Sequence, residues 1–279
     1  MKLQTAAKLV LKRILRFAPT PNWTAHYPKL NRLERFKVRV LCQILLKETG
    51  HMVYGGPFST MKLTENLELC WDPPMILGSY EEEVHDVINN VICMAPDNII
   101  DIGAAFGYYA VGFALKIANT TVIAFESVEE PHWQELADLA RINGVSGKVI
   151  QRGFCTAEEL AKACAPNSFI LCDCEGGEED ILQPLKVPAL NSCKILIELH
   201  EFYRPNVVGT LISRFRDSHK IRIIEEVDRD PSRYRILKKL PRSWRSVAVE
   251  EKRWIGRGSS RITTWMRFMV LDPKVGHES

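Results

Sequence analysis

The sequence predicts an α/β protein with a doubly wound, mostly parallel sheet and an N-terminal helical extension. Between residues 98 and 227, short apolar segments alternate with longer amphipathic ones, which is typical of consecutive βαβ units. The segment Ile195–Leu199 is apolar almost throughout, as expected of a strand buried on both faces. With 279 residues and 46% apolar side chains, the chain can bury a full core without disulfides.

The individual elements follow from apolar patterning and from residues that stop helices. Residues 1–50 look helical, residues 51–78 form an irregular or hairpin element, and Ser79 with Glu82 is a capping box for a helix that ends near Met94. The predicted strands are Asn98–Ile102, Thr121–Phe125, Lys148–Arg152, Phe169–Asp173, Lys194–Leu199, Arg222–Val227 and Met266–Leu271, the last a candidate for antiparallel pairing. The helices between them are Tyr108–Ala118, Pro131–Asn143, Ala157–Ala165, Glu178–Leu185 and Val207–Asp217.

The net charge of +3 conceals three blocks of different sign. Residues 1–50 carry +9, residues 51–200 carry −14 and residues 201–279 carry +8. Such asymmetry indicates an anionic partner for the two ends. Residues 1–17 form an amphipathic pattern with a basic face, which fits either a helix packed on the domain, the favoured alternative, or peripheral contact with an anionic membrane surface.

The eight cysteines argue for reduced thiols in a cytoplasmic protein. They contain no C-x-x-C pair, so zinc ribbons and thioredoxin-like redox motifs lack support. A disulfide framework is also unexpected in a chain of this length.

A glycine loop follows the first predicted strand and indicates a nucleotide-like cofactor. Asp101 precedes Gly103 and Gly107, and Glu126 ends the second strand. A dinucleotide fingerprint needs glycines at 103, 105 and 108, and two of these positions hold other residues, which disfavours an NAD-dependent oxidoreductase. An acidic residue before the first glycine, with a carboxylate placed to accept ribose hydroxyls, instead favours S-adenosylmethionine (SAM).

Three segments then resemble one family. Asp101-Ile-Gly-Ala-Ala-Phe-Gly107, Phe125-Glu126 and Asp173-Cys-Glu-Gly-Gly-Glu178 are similar to the class I SAM-dependent methyltransferases of the FkbM-like family, over roughly residues 79–227. The resemblance implies a seven-stranded Rossmann-like sheet, with Gly103, Ala104 and Gly107 at the cofactor and Glu126 on its ribose. Phe154, after the third strand, either flanks the adenine or is a core residue.

The resemblance also implies a division of the chain. Residues 1–78 are expected to form the extension and residues 79–279 the SAM-binding methyltransferase domain. Within that domain, residues 228–265 are expected to be an insertion on the side of the methyl acceptor.

Candidate catalytic residues end the fourth and fifth strands. Asp173 and Glu175 follow one strand, and Glu198 and His200 alternate at the end of the other, so side chains two apart share a face. One hypothesis makes His200 the general base, with Asp173 beside the sulfonium and the acceptor. A second lets Asp173, Glu175 and His200 hold a divalent cation that binds a diol-like acceptor.

Structural alternatives remain for some of these residues. Glu175 and Glu178 are also suited to stabilising the start of the next helix. The segment Trp71–Met75 is interpreted as a plain turn, and His132 shows no pairing along the sequence that suggests a site.

The resemblance implies that the protein is an enzyme, a SAM-dependent O-methyltransferase for a small-molecule or glycan acceptor. The alternatives are an RNA methyltransferase, suggested by arginines interleaved with tryptophans near the C-terminus, an NAD-dependent oxidoreductase, and a scaffold without catalysis. The oligomeric state is open.

Overall fold

The fold was analysed in a computed structural model that describes residues 32–65, 71–128, 130–249 and 267–274. The predicted amphipathic helix of residues 1–17 and the segment 250–265 lie outside these ranges. Among the described residues, no helix combines the length and apolar character needed to cross a bilayer.

Seven strands form one sheet in the order β3-β2-β1-β4-β5-β7-β6. They are β1 Asn98–Ile102, β2 Thr121–Phe125, β3 Val149–Arg152, β4 Phe169–Cys172, β5 Lys194–Leu199, β6 His219–Glu225 and β7 Arg267–Pro273. Strands β1 to β5 pair in parallel, and β7 runs antiparallel to both β5 and β6. The predicted doubly wound, mostly parallel seven-stranded sheet is therefore confirmed, with its switch point between β1 and β4.

Nine helices of the described part surround the sheet. They are α1 Arg32–Thr49, α2 Pro73–Leu77, α3 His85–Met94, α4 Tyr108–Lys116, α5 His132–Ile142, α6 Ala157–Ala163, α7 Glu178–Ile181, α8 Val207–Phe215 and α9 Arg242–Val249. Short 3₁₀ turns cover Glu82–Val84, Pro188–Ser192, Pro231–Arg233 and Arg235–Lys239.

Both faces of the sheet are buried, and alternate strand residues supply the two halves of the core. Ile99 and Leu171 belong to the apolar cluster that includes Leu41 and Leu45 of α1. Ile100 and Ile170 belong to the cluster that includes Leu211 of α8. The central strands consequently have apolar residues on both faces, which explains the continuous apolar pattern of their sequences.

The capping box predicted at Ser79 and Glu82 is wrong. Glu81 adopts a left-handed conformation with φ +50°, and α3 begins only at His85, after a 3₁₀ turn. The Glu81 carboxylate accepts a hydrogen bond from the Tyr109 hydroxyl. This inward contact takes the chain out of the helical path that a capping box requires.

Gly112 in α4 lets the ring of Phe58 lie against the helix. Phe58 is fully buried and packs edge-to-face on Phe113 and Tyr109, with ring centroids 5.3 and 5.7 Å apart. A Cβ at position 112 would lie 2.6 Å from this ring, so only glycine fits without displacement of Phe58.

We expect Gly112→Ala to lower the free energy of unfolding by about 1–2 kcal/mol, because overpacking outweighs the gain in helix propensity. Gly209→Ala in α8 is the matched control, since nothing lies within 4 Å of a Cβ at that position. There the same substitution should raise the free energy of unfolding by about 0.5–1 kcal/mol. Urea denaturation measures both values, and equal effects at the two positions would contradict the packing explanation.

Candidate active site

A cavity of about 450 Å³ opens at the carboxyl ends of β1 to β4. Ligands of doubly wound sheets bind at this edge, next to the switch point. Its walls come from the loops after these strands, from α1 and from the segment that leads into α2. The lining residues are Val38, Arg39, Cys42, Trp71, Asp72, Met75, Tyr80, Ile102, Gly103, Ala105, Phe106, Phe125, Glu126, Ser127, Val128, His132, Phe154, Cys155, Asp173, Cys174, Glu175 and Ile181.

The loop after β1 is shaped by close contacts with its neighbours. Gly103 has φ +90°, and a Cβ there would overlap the carbonyl oxygen of Asp173. Its N–H and that of Ala104 donate to the carbonyl of Phe125 at 2.9 and 3.0 Å. Gly107, with φ +86°, precedes the first residue of α4. Gly103 therefore lines the cavity, whereas Ala104 and Gly107 determine the shape of the loop from outside the lining.

Glu126 is the best-anchored carboxylate of the cavity. It accepts hydrogen bonds from the N–H groups of Ala105 at 2.8 Å and Val128 at 2.7 Å. The Nδ1 atom of His132 lies 3.7 Å from its Oε1 atom. Burial alone would raise the pKa of Glu126, but His132 and the two N–H groups outweigh it and lower the pKa. The cavity thus contains a carboxylate that stays ionised and retains lone pairs for further donors.

His132 is a site residue that sequence reasoning missed. Besides its contact with Glu126, its ring packs edge-to-face on Phe106, with centroids 4.3 Å apart. These partners are six and 26 residues away along the chain, so no local spacing reveals them. The hypothesis that His132 has no site partner is wrong.

Phe154 and the segment Trp71–Met75 form part of the cavity wall. The Phe154 side chain is 68% exposed, so it belongs to the rim rather than to the core. The predicted plain turn is in fact the start of α2, which spans Pro73–Leu77. Trp71, Asp72 and Met75 all line the cavity, so this N-terminal segment contributes to the site.

Asp101 lies behind the loop, outside the cavity lining. Its side chain is buried, and its Oδ2 atom has no hydrogen-bond partner among the described residues. Burial raises the pKa of Asp101 to about 7, although the N–H of Ala110 near the start of α4 favours the ionised form. The role of Asp101 in cofactor binding stays a prediction. In the structure, its carboxyl group contacts the N–H of Ala110 in α4.

A second group of side chains lies where β4 and β5 end. The Nε2 atom of His200 is 3.4 Å from Oδ1 of Asp173 and 3.6 Å from Oε2 of Glu175. These three ligand atoms lie within 4.8 Å of one another. Asp173 and Glu175 line the cavity, with side chains 33% and 73% exposed, whereas the His200 side chain is 5% exposed behind them. The structure thus brings the three predicted catalytic residues together.

Glu178 holds the other side of His200. Its Oε1 atom is 2.5 Å from Nδ1 of His200 and accepts a hydrogen bond from the N–H of Gly176. Burial would raise the pKa of Glu178, but His200 outweighs it and lowers the pKa. For His200, burial would lower the pKa, but Glu178 outweighs it and raises the pKa. Glu178 begins α7, as predicted, and its contact with His200 was missed.

Acidic side chains dominate the surroundings of Asp173. Removal from water raises the pKa of Asp173 well above its ordinary value, and the neighbouring Glu198 and Glu81 carboxylates raise it further. Both neighbours are buried. Acidic groups are therefore crowded where β4 and β5 meet, and Asp173 retains its proton more tightly than an ordinary aspartate does.

No protein-family model matches the sequence, and no curated protein matches it significantly. Similar solved structures include the O-methyltransferase TomG from Streptomyces achromogenes, involved in tomaymycin synthesis and solved with SAM (12% identity, TM-score 0.43, covering 67% of this chain and 77% of that chain). The O-methyltransferase from Bacillus cereus, solved with SAH, is 12% identical with a TM-score of 0.43, over 86% of this chain and 91% of that chain. An rRNA methylase from Streptococcus thermophilus is 10% identical with a TM-score of 0.44, over 68% and 96%. Likenesses this distant carry no argument about activity, which depends on the residues of this chain.

The buried carboxyl group of Asp101 predicts a pH-dependent stability. Its pKa is about 7 in the folded chain, against an ordinary value near 3.8, so the folded state retains a proton that the unfolded state has released. As the pH rises from about 4 to 7, this group therefore lowers the stability of the wild type, by up to about 4 kcal/mol above pH 7.

Asp101→Asn removes this titration. We expect the free energy of unfolding of the variant, minus that of the wild type, to increase between pH 4 and 7 and to stay constant above. Chemical denaturation at a series of pH values measures the difference. A constant difference across this range would show that Asp101 ionises normally in the folded chain.

Proposed function

We propose that the chain is a SAM-dependent methyltransferase of the FkbM-like type, which methylates an oxygen of a small-molecule or glycan acceptor. The observation that supports this most directly is the pairing of the glycine loop with Glu126. The Ala105 N–H binds this carboxylate at the cavity wall, and the acidic group of Asp173 lies at the end of the neighbouring strand. Two distinct polar regions thus flank one cavity of a size common for small ligands.

The residues around Glu126 fit the nucleoside part of the cofactor. An ionised carboxylate accepts hydrogen bonds from adjacent ribose hydroxyls, and Glu126 keeps its charge through its backbone donors and His132. Phe154 on the rim offers an exposed aromatic ring to a flat base. Together these residues match a hydroxyl-rich sugar with an attached aromatic ring system.

The residues around Asp173 fit the reacting end. When bound, the cofactor supplies an electrophilic methyl group on a positively charged sulfur. The Glu175 carboxylate supplies negative charge at the cavity wall, beside the acidic group of Asp173.

In the proposed transfer, the acceptor oxygen forms a bond to the methyl carbon while the carbon–sulfur bond breaks. The electron pair of that bond stays on sulfur, and the hydroxyl proton is accepted by the ionised form of Asp173. Most of the rate enhancement then comes from orientation of the two reactants.

Glu126 provides the first test of the proposal. We expect the wild type to bind SAM and not NAD in calorimetry, and Glu126→Gln to weaken SAM binding about 10–100-fold, because hydrogen bonds to a charged acceptor are lost. Glu159→Gln removes a carboxylate that pairs with Lys162 on α6 and should leave SAM binding unchanged. Absence of heat with SAM for the wild type would refute the proposal.

Asp173 provides the second test. We expect Asp173→Ala to reduce methyl transfer at least about 100-fold, while SAM affinity changes little, since the carboxylate faces the reacting end. Loss of one of several neighbouring acids also relieves repulsion, so the variant should fold. Mass spectrometry of a small-molecule pool, with a gain of about 14 Da per methyl group, measures transfer, and full activity in this variant would contradict the assigned role.

A further inference from the structure

The geometry points to a divalent cation site formed by Asp173, Glu175 and His200, which opens on the cavity. Binding of the ion does not depend on SAM. The further step, in which the ion binds the oxygen atom of the methyl acceptor, rests on the proposed function.

The distances from His200 to the two carboxylates exceed those of charge-assisted hydrogen bonds and lie at or just above the spacing of metal ligands. Ligand atoms about 2.1 Å from an ion, at tetrahedral or octahedral angles, lie about 3.0–3.4 Å apart. The Nε2 atom of His200 lies 3.4 Å from Asp173 and 3.6 Å from Glu175. A charge-assisted hydrogen bond would be about 2.7–2.9 Å long, so the imidazole binds neither carboxylate closely.

The orientation of His200 is the one that a metal-binding imidazole needs. Glu178 fixes Nδ1 at 2.5 Å, which leaves Nε2 directed at the two carboxylates. Histidines that bind metals commonly donate their second N–H to a buried carboxylate in this way. Glu178 is therefore a positioning residue, three positions after Glu175 in the chain.

The charge balance independently favours a cation. Asp173 interacts with the buried acids Glu81 and Glu198 as well as with Glu175. The Oε2 atom of Glu178 is fully buried and has no hydrogen-bond partner among the described residues. A positive ion on Nε2 would polarise the imidazole towards this carboxylate and would compensate the acids around Asp173.

The exposure of the ligands leaves the site open on one side. His200 and Glu178 are buried behind it, whereas Asp173 and Glu175 reach the cavity. Three protein ligands leave further coordination positions for water or a substrate oxygen. A bound acceptor hydroxyl would lose its proton to water more readily on the ion, so Asp173 would act as a ligand rather than as the base.

An imidazole with two carboxylates suits manganese, iron or zinc ions, so Mn²⁺ alone is the probe. We expect the full-length protein, without SAM, to bind one equivalent of Mn²⁺ in electron paramagnetic resonance titrations. Water-proton relaxation should show at least one exchanging water on the bound ion. Absence of binding, or a bound ion without exchanging water, would overturn the inference.

Variants distinguish a specific ion site from nonspecific attraction of Mn²⁺ to acidic side chains. Glu175→Gln and Glu178→Gln should weaken Mn²⁺ binding about 10–100-fold, the first without risk to folding because Glu175 is exposed. Asp180→Asn is the matched control, since Asp180 lies on the same helix and pairs with Arg204 instead. An equal loss of Mn²⁺ affinity in the control would show that only the net charge matters, and it would overturn the assignment.

The test also distinguishes this inference from the proposed function. SAM binding without Mn²⁺ binding would remove the ion site and keep the methyltransferase proposal. Mn²⁺ binding that requires Glu175 and Glu178, without SAM binding, would retain the ion site and refute the methyltransferase.

Discussion

The close approach of the loop after β1 to the end of β4 determines the layout of the site. Gly103 lies against the carbonyl of Asp173 so tightly that a Cβ would overlap it. Since β1 pairs in parallel with both β2 and β4, this contact fixes the cavity loop between two strand ends. Glu126 and Asp173 therefore face one cavity from opposite sides of the glycine loop. Their separation is a property of the sheet rather than of mobile loops, which favours a preorganised site.

The carboxyl groups at this edge behave differently because their surroundings differ. Asp101 is buried with a pKa raised to about 7, so it exchanges its proton near neutral pH. Glu126 is kept ionised by donors of its own loop and by His132. Asp173 lies among other acids. Residues 51–200 have a formal net charge of −14, a count that treats these three acids alike. Their surroundings give them different pKa values, which the count does not distinguish.

The sequence predicted the sheet better than it predicted the site. Strands β1, β2 and β5 agree with prediction at both ends, because their apolar runs are buried on both faces and bounded by polar residues. The capping box failed because Glu81 binds Tyr109, a contact over 28 residues that local patterning does not report. The contact of Glu178 with His200 was missed for the same reason, since it spans 22 residues.

Different parts of the chain supply different kinds of side chain to the cavity wall. The loops after the strands supply Glu126, Asp173 and Glu175, whereas α1 supplies Val38 and Arg39 and the segment Trp71–Met75 supplies Trp71 and Met75. Folds of this kind host many reactions, and the acceptor depends on the residues that surround the reacting end. Trp71 and Met75 contribute apolar area to this part of the wall, and Arg39 contributes a guanidinium group. Arg39 of α1 thus places a cationic side chain in the lining of a cavity that also contains Glu126, Asp173 and Glu175.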